Sequence, residues 1–509
     1  MPVFTQLAPV RAAGEVLSAL GVEGRLIMGD GVVDPRVWGV TLDHAAVRPG
    51  TLFAAVPGRL HHGASFAADA ALAGAAAVVT DEAGALEAAA TGLPVIVVDD
   101  VRARLGQIAA TVYGTGSTRP QLYGVTGTNG KTTTVHVIDA VLRQLGVVAG
   151  HSSTADRRSA ERVVASRLTS PEAPELHALL ARMTEDGVEA AALEVSAQAL
   201  TRHRVDGVVF DVAGFTNLSR DHLDDYADMH DYLQAKLRLF TPERSRRAVV
   251  LLDSPAGREV ARRAAVPVTT VTTTGAADAD WSVLVESIAA SGTTFRVVAA
   301  DGRTLSTSIP LIGRHMAADA ALALVMLLEG GYDLARLRAA VERGVDVSVP
   351  GRTLRVSGED GPSVYTDFSH TPDSIEKTLE ALRVITPGRL VVVVGADGDR
   401  DPSKRELMGR AAARGADLVV VTDHHPRHED PAAIRAALLR GASASGGRAV
   451  VVEMPEPARA IRRALHGLGD DDTVLWVGPG DTDYRLVASE EIPYSPRRDA
   501  RTALSEIGW

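Results

Sequence analysis

Gly127-Thr-Asn-Gly-Lys-Thr-Thr133 stands between two segments of different periodicity, and that placement decides how the middle of the chain folds. In front of it, Leu122-Tyr-Gly-Val-Thr126 reads as a short buried strand. Behind it, Val135, Ile138, Val141, Leu142 and Leu145 recur at helical spacing up to the stop signal Gly146. A strand, a glycine-rich turn and a helix N-terminus together aim backbone N–H groups and a positive dipole end at an anion. Lys131 adds a point charge for β- and γ-phosphates, and Thr132 a hydroxyl for Mg²⁺. The stretch departs from the pattern G-x-x-x-x-G-K-[ST] at one place. Val125 stands where the first glycine belongs, flanked by Gly124 and Gly127. An ordinary glycine-rich strand-to-helix turn is the bland alternative. The context favours an ATP site lined by Gly127, Thr128, Asn129, Gly130, Lys131, Thr132 and Thr133.

Working outward, 509 residues suit two to four domains, and 46% hydrophobic residues suit a soluble globular chain. A net charge of −11 argues against a nucleic-acid or anionic-membrane surface, while leaving room for an anionic substrate in a locally basic cleft. The lack of cysteine removes disulfides, thiolate nucleophiles and Cys-ligated metal sites. Met1-Pro-Val-Phe-Thr-Gln6 lacks a basic segment followed by an apolar core, and no apolar run approaches the roughly 18–20 residues of a membrane span. A cytoplasmic protein is expected.

Two seams divide the chain: Tyr113-Gly-Thr-Gly-Ser-Thr-Arg-Pro120, rich in turn formers, and Val347-Ser-Val-Pro-Gly351, beyond a helix predicted around Leu334–Glu342. Domains over 1–117, 118–347 and 348–509 are expected. Buried-strand candidates alternate with helical patterns in each. They are Thr51–Val56, Ala75–Thr80 and Pro94–Val98 in the first, Glu189–Glu194 and Val208–Phe215 in the second, and Leu390–Val394, Leu418–Thr422, Ala449–Val452 and Val474–Val477 in the third. Such alternation implies an α/β fold with parallel sheets wound through βαβ units, and functional loops beyond the carboxyl ends of the strands.

Three further residues could carry chemistry. Glu194 follows a buried strand, where a carboxylate commonly holds Mg²⁺ beside nucleotide phosphates. His222 lies in Asn217-Leu-Ser-Arg-Asp-His222. Lys236, taken alone, reads as a solvated helix residue.

These motifs, with Thr169-Ser-Pro-Glu172, Glu194-Val-Ser196, Ala235-Lys236 and Asp367-Phe-Ser-His-Thr-Pro372, occur in the order seen in the Mur ligases, and the chain resembles that family from about Gly39 to Arg498. Gly398-Asp-Arg-Asp401, Lys404-Arg405 and Pro426–Pro431 resemble the MurE branch. That branch joins the third amino acid to UDP-N-acetylmuramoyl-L-alanyl-D-glutamate at the expense of ATP. The resemblance implies a UDP-binding N-terminal domain, a central phosphate-loop ATPase and a C-terminal Rossmann-like domain that closes over it. It implies that Lys131, Thr132 and Thr133 hold phosphates and Mg²⁺ (two ions), with Glu194 and His222 approaching the metals. Lys236 matches a lysine that the family carbamylates. Asn217, Arg352, Asp367 and His370 fall in nucleotide-binding motifs. Asp43, Thr169, Ser170, Ser196 and Arg204 match substrate-binding positions, and Arg400, Arg427 and Gly478 fall in the amino-acid pocket. The expected partners are small molecules, with the chain acting as a monomer.

The departures from the family pattern gather at the two substrate ends. Asp43-His44-Ala45 stands for Asp-Ser-Arg, Ser196-Ala197-Gln198 for Ser-Ser-His, and Arg202 for a substrate-contacting glutamine. Met316 and Asp319 replace two asparagines near the adenine. In the amino-acid pocket His424-His425 replaces Asp-Asn, and Gly478-Pro-Gly-Asp-Thr482 replaces Gly-Lys-Gly-His-Glu. Thr482 lacks the charge of that glutamate, with Asp481 or Asp483 as possible compensation. His424-His425 is either pocket or solvated loop, and two adjacent histidines are weak grounds for zinc. The edits fit a cell-wall ligase with an unusual diamino acid, or a paralogue with another acceptor or amino acid. A non-catalytic relative would not need Lys131, Glu194, His222 and Lys236 together. A phosphate-loop switch or motor, or a folylpolyglutamate-synthetase-like ligase, fits less well.

Overall fold

The computed structural model describes residues 11–19, 24–28, 34–58, 60–116, 119–166, 168–275 and 278–509. Three main sheets follow one another along the chain. The first has the order Arg25–Ile27, Val95–Val97, Ala77–Thr80, Thr51–Ala54, Gly39–Thr41, parallel except for its first strand.

The second sheet has eleven strands. Its heart is a parallel run, Ala149–Ser152, Ala190–Glu194, Gln121–Thr126, Val212–Phe215, Ala248–Leu251 and Val268–Thr272. Side-chain alternation along Gln121–Thr126 sends Leu122 to one face, among Leu176, Leu180 and Phe210, and Tyr123 and Val125 to the other, among Val135, Ile138 and Val141. The second face is sealed by helices Lys131–Gln144 and Arg314–Glu329. Every residue of the latter from Met316 to Leu327 is buried, and all of them but Asp319 are apolar.

One expectation needs correction here. The second sheet is not purely parallel. Trp281–Ala289, Gly292–Ala299 and Thr304–Ile309 form an antiparallel meander on one edge, and Asp156–Ser159 with Arg162–Ala165 does so on the other. Burial alternates along Gly292–Ala299, the signature of an antiparallel strand with one wet face. Short connections such as Ala290-Ser291 exclude a helical crossover.

The third sheet has the order Leu354–Arg355, Ser363–Asp367, Thr473–Val477, Leu390–Val394, Leu418–Val421, Val450–Glu453, parallel except at the first edge. Leu390–Val394 coincides with the predicted strand. Val208–Phe215 is shorter than predicted, because Val208 and Phe210 are buried in the approach to strand Val212–Phe215 rather than in it. Among the described residues no helix is long and apolar enough to cross a membrane.

Candidate active site

The carboxyl ends of neighbouring strands in the second sheet bring the sequence-predicted residues together. Val125 is completely buried and paired with Glu194 on one side and Gly214 on the other, so the strand runs on through the position where the standard motif has glycine. The turn begins at Gly127 instead, with φ +152°, and a Cβ there would sit 1.8 Å from Thr216 Oγ1. Gly130, with φ +88°, opens the helix Lys131–Gln144, and its missing Cβ makes room for the carboxylate of Asp319. Asn217 spends its side chain on the cradle itself. Its Oδ1 accepts from Asn129 N (3.0 Å) and its Nδ2 donates to Asn129 O (3.1 Å), so it shapes the loop from behind. Thr128 adds a hydroxyl to the carbonyl of Ser219. Thr133 is buried beneath the loop.

Two lysines meet at this loop. Lys131 Nζ donates to the carbonyls of Gly127 (3.1 Å) and Thr128 (2.8 Å). Lys236, on helix Met229–Leu237, donates to the same Gly127 carbonyl at 2.8 Å and lies 4.2 Å above the Tyr232 ring. It is 1% exposed and has no ion-pair partner among the described residues, so it is not the solvated residue its helix position suggested. Burial, reinforced by the charge of Lys131, pushes its amine well below the usual lysine range, and Asp221 offsets this only in part.

Glu194 is buried. Its Oε1 accepts from Thr154 N (2.7 Å) and its Oε2 from the Thr154 hydroxyl (3.1 Å). That hydroxyl also lies 3.1 Å from Thr169 Oγ1. His222, at φ +57°, has Nδ1 3.0 Å from Gln198 Nε2. Burial lowers its imidazole to about 4, against the pull of Asp221, so it is neutral and able to offer a lone pair. Ser170 Oγ donates to the Glu194 carbonyl (2.9 Å) and accepts from Ser196 N (3.1 Å), and Ser196 Oγ caps the next helix. Arg204 is paired with Glu172 (2.8 Å) and Arg202 with Asp225 (2.7 Å), so both cations already have carboxylate partners. Asp43 caps the short turn His44–Ala46 in the first unit.

The third sheet closes over this loop. Arg352 Nη2 donates to Thr132 Oγ1 (3.0 Å) while its guanidinium lies over Phe368. Asn129 Nδ2 donates to Asp373 Oδ2 (2.9 Å), and Lys404 Nζ meets Asp221 Oδ1 at 2.9 Å. Asp367 accepts from Thr353 N and Ser369 N, and His370 Nδ1 is satisfied by Phe368 O. At the carboxyl ends of Leu390–Val394 and Leu418–Val421, Asp397 holds His424 Nδ1 (2.7 Å) and Arg427 Nη2 (3.4 Å). His424 packs against Gly478. His425 faces another way: its Nδ1 accepts from Leu486 N (2.9 Å), anchoring the hairpin Tyr484–Val487/Glu490–Pro493, which makes it a structural residue. Thr482 turns its hydroxyl onto Pro479 O (2.8 Å), and Asp481 pairs with Arg497. Arg400 is exposed. Thr154 and Asp397 are the residues sequence reasoning missed, and Asp221 and Lys404, though quoted within motifs, were given no role. Their motifs mark the two positions, but only the fold shows that they are buried against each other.

A phosphate loop at the switch of a largely parallel sheet, one half-buried and one buried lysine, a buried carboxylate and a second α/β unit docked over them define a nucleotide-dependent enzyme of three α/β units. The chain belongs to the Mur ligase family. The Mur ligase middle domain matches residues 125–327, the glutamate ligase domain 351–480, and the Mur ligase family catalytic domain 36–113. The UDP-N-acetylmuramyl-tripeptide synthetase of Leifsonia xyli subsp. xyli is 54% identical over all of this chain and 97% of its own. The UDP-N-acetylmuramoyl-L-alanyl-D-glutamate–2,6-diaminopimelate ligase of Streptomyces coelicolor is 42% identical over 98% of each. A solved structure of a ligase of that same name superposes with a TM-score of 0.66 at 26% identity, covering 98% of this chain and all of the other.

Proposed function

We propose that this chain joins an amino acid to the D-glutamate carboxylate of UDP-N-acetylmuramoyl-L-alanyl-D-glutamate in peptidoglycan precursor synthesis, with ATP cleaved to ADP and phosphate. The observation that carries this is the meeting of Lys131, Thr132, Glu194 and Lys236 around one loop, in a chain so similar to tripeptide synthetases. The acceptor carboxylate attacks the γ-phosphorus of ATP, giving an acyl phosphate and ADP. The amine of the incoming amino acid then adds to the acyl carbon and phosphate departs. Both steps concentrate negative charge, and preorganised cations and N–H groups are what such a site needs.

Lys131 and the N–H groups of Gly130 to Thr133 take the phosphates. Arg352 reaches the same place from the docked third unit, and Asp367 and His370 lie beside it for the nucleoside. Thr132, Glu194 and His222 fit Mg²⁺, since all three present oxygen or a neutral nitrogen at one end of the sheet. Mg²⁺ bound there supplies Lewis-acid stabilisation of the transferring phosphoryl group. Lys236 fits carbamylation: a buried amine facing a second lysine, with no ion-pair partner among the described residues, is pushed toward its neutral form, the form that attacks CO₂, and the product is a carboxylate-like metal ligand. Docking of the third unit excludes water that would hydrolyse the acyl phosphate.

The domains correspond to residues 1–117, 118–347 and 348–509, one chain supplies the whole site, and the need for ATP and a nucleotide-linked precursor places the enzyme in the cytoplasm. The pocket around Asp397, His424, Arg427 and Thr482 selects the amino acid. Phosphate release with Mg-ATP and the UDP-linked dipeptide, across diaminopimelate, lysine, ornithine and neutral amino acids with product masses read, tests the reading. Release that needs both partners and gives the ligated mass supports it. No turnover with any amino acid while ATP still binds overturns it.

A further inference from the structure

Behind Glu194 lies a buried polar cluster that the reaction described above does not use. His136 sits on the phosphate-loop helix, one turn beyond Thr132. His151 lies on strand Ala149–Ser152, and Asp156 opens the strand after it. Both imidazole Nε2 atoms converge on one oxygen, Asp156 Oδ1, at 3.3 Å from His136 and 2.8 Å from His151. On its other side His151 Nδ1 is 3.2 Å from Asp139 Oδ1, and Asp139 also meets Arg143 (3.0 Å) and Arg158 (3.6 Å). His136, His151 and Asp139 are all buried. Groups of this kind are costly to bury unless they are paired, and here they are paired with one another.

The cluster fixes a turn. Ser153 N donates to Asp156 O (2.9 Å), and Ser153 Oγ, itself 3.1 Å from His136 Nε2, accepts from Asp156 N (3.1 Å). Inside that turn stands Thr154, whose N–H and hydroxyl go to the two oxygens of Glu194. A continuous chain of contacts therefore runs from the helix that carries Lys131 and Thr132, through His136 and Asp156, to Thr154 and Glu194. A transition-metal site is the other use for two histidines and an aspartate whose donor atoms lie within 4.8 Å of one another. The charges argue against it. Asp139 meets Arg143 and Arg158 as well as His151, so two fixed cations already stand against the cluster's two carboxylates.

We propose that Asp156, gripped by His136 and His151, is a positioning residue for Glu194: it sets the distance and orientation of that carboxylate relative to Thr132. The inference rests on the reading of Glu194 as a Mg²⁺ ligand. Outer partners of metal-binding carboxylates typically cost about ten- to a hundredfold in metal affinity or activity when lost.

Mn²⁺ binding to the full chain in the presence of ADP, followed by electron paramagnetic resonance, tests it, with steady-state kinetics alongside. Asp156→Asn should weaken Mn²⁺ about tenfold and lower kcat, with KM for the amino acid unchanged. Thr154→Val should weaken Mn²⁺ without touching the cluster, and Thr154→Ser should restore it, which tests the link from the turn to Glu194 even where Asp156→Asn does not fold. Glu194→Gln is measured in parallel. If it leaves Mn²⁺ binding unchanged, the metal reading of Glu194 fails and this inference with it. If it weakens Mn²⁺ while Asp156→Asn and Thr154→Val bind as the parent does, this inference alone is overturned. One equivalent of a transition metal in the purified parent, lost in Asp156→Asn, overturns it as well.

Discussion

Lys404 Nζ lies 2.9 Å from Asp221 Oδ1, both side chains less than a tenth exposed, and the pair joins the third sheet's domain to the phosphate-loop domain. A charge pair this dry is a poor source of net stability but a strong constraint, because losing one member leaves the other buried and unmatched. Asp221 also faces His370 from the third domain and His222 from its own. Burial works against its charge, yet the His370 hydrogen bond and the charge of Lys404 hold its carboxyl well below the usual range. Lys404→Met removes the partner and strands that charge. The expected penalty of about 3 kcal/mol falls on the docked arrangement, not on either domain alone. It corresponds to a loss of about two orders of magnitude in kcat/KM. Small-angle scattering should show a larger radius for the variant with nucleotide bound, while each domain keeps a cooperative melting transition. A variant as compact and active as the parent would show that Lys404 does not hold the domains together.

Lys236 is the second place where burial dictates chemistry. Burial and the neighbouring charge of Lys131 push its amine well below the usual lysine range, against the pull of Asp221, and so toward the neutral form that adds CO₂. Protein equilibrated with ¹³C-bicarbonate should show one carbamate carbonyl resonance that is missing from Lys236→Ala. The same variant should lose kcat by at least about a hundredfold, as expected when a charge aimed at the transition state is removed. A parent spectrum without that resonance, in an active sample, would falsify the carbamate.

Much of this was legible in the chain. The phosphate loop, Glu194 and the strand Leu390–Val394 could be read because each depends on local pattern: a turn, a strand end, an unbroken apolar run. The antiparallel meander Trp281–Ile309 was not read, since half-wet alternation carries less signal than a continuous hydrophobic run. Lys236 shows the limit from the other side. Its helix position reads as solvated; the resemblance to the Mur ligases singles it out, and only the fold places it under the loop. Thr154 has no signature at all, because its role exists only once the strands ending at Ser152 and Glu194 lie side by side. The roles of His424 and His425 separate only when the hairpin beyond Asp483 is in place.

Asp397 bridges His424 and Arg427 and thereby uses up the charge of that arginine. Asp397→Asn should release Arg427 and unfix His424 together. KM for the amino acid is expected to rise about tenfold, the size of one lost charge-assisted contact, with KM for ATP within about twofold. Because the swap removes a negative charge, amino acids with a second carboxylate should suffer least. Initial-rate measurements over the amino-acid panel decide this, and equal losses for acidic and basic amino acids would remove Asp397 from any role in selection.

Asp319 makes the last prediction, through pH. Its carboxyl is buried against Gly130, and burial raises it to about 7 despite the opposing charges of Lys377, Arg352 and Lys131. In the unfolded chain the same group titrates near 3.8. Between those values the folded state binds more protons than the unfolded one, so stability falls as pH rises through this window. Below about pH 4 both states are protonated and the penalty vanishes; above about 7 it is fully present. Asp319→Asn keeps the shape and cannot ionise. It should therefore melt higher than the parent at pH 8, by an amount equivalent to roughly 2–4 kcal/mol, and by no more than about 1 kcal/mol at pH 4.5. Differential scanning calorimetry of both proteins across pH 4.5 to 8 reads the gap directly. A constant gap at all pH values would mean that the carboxyl is already ionised in the folded protein, held by its three cationic neighbours.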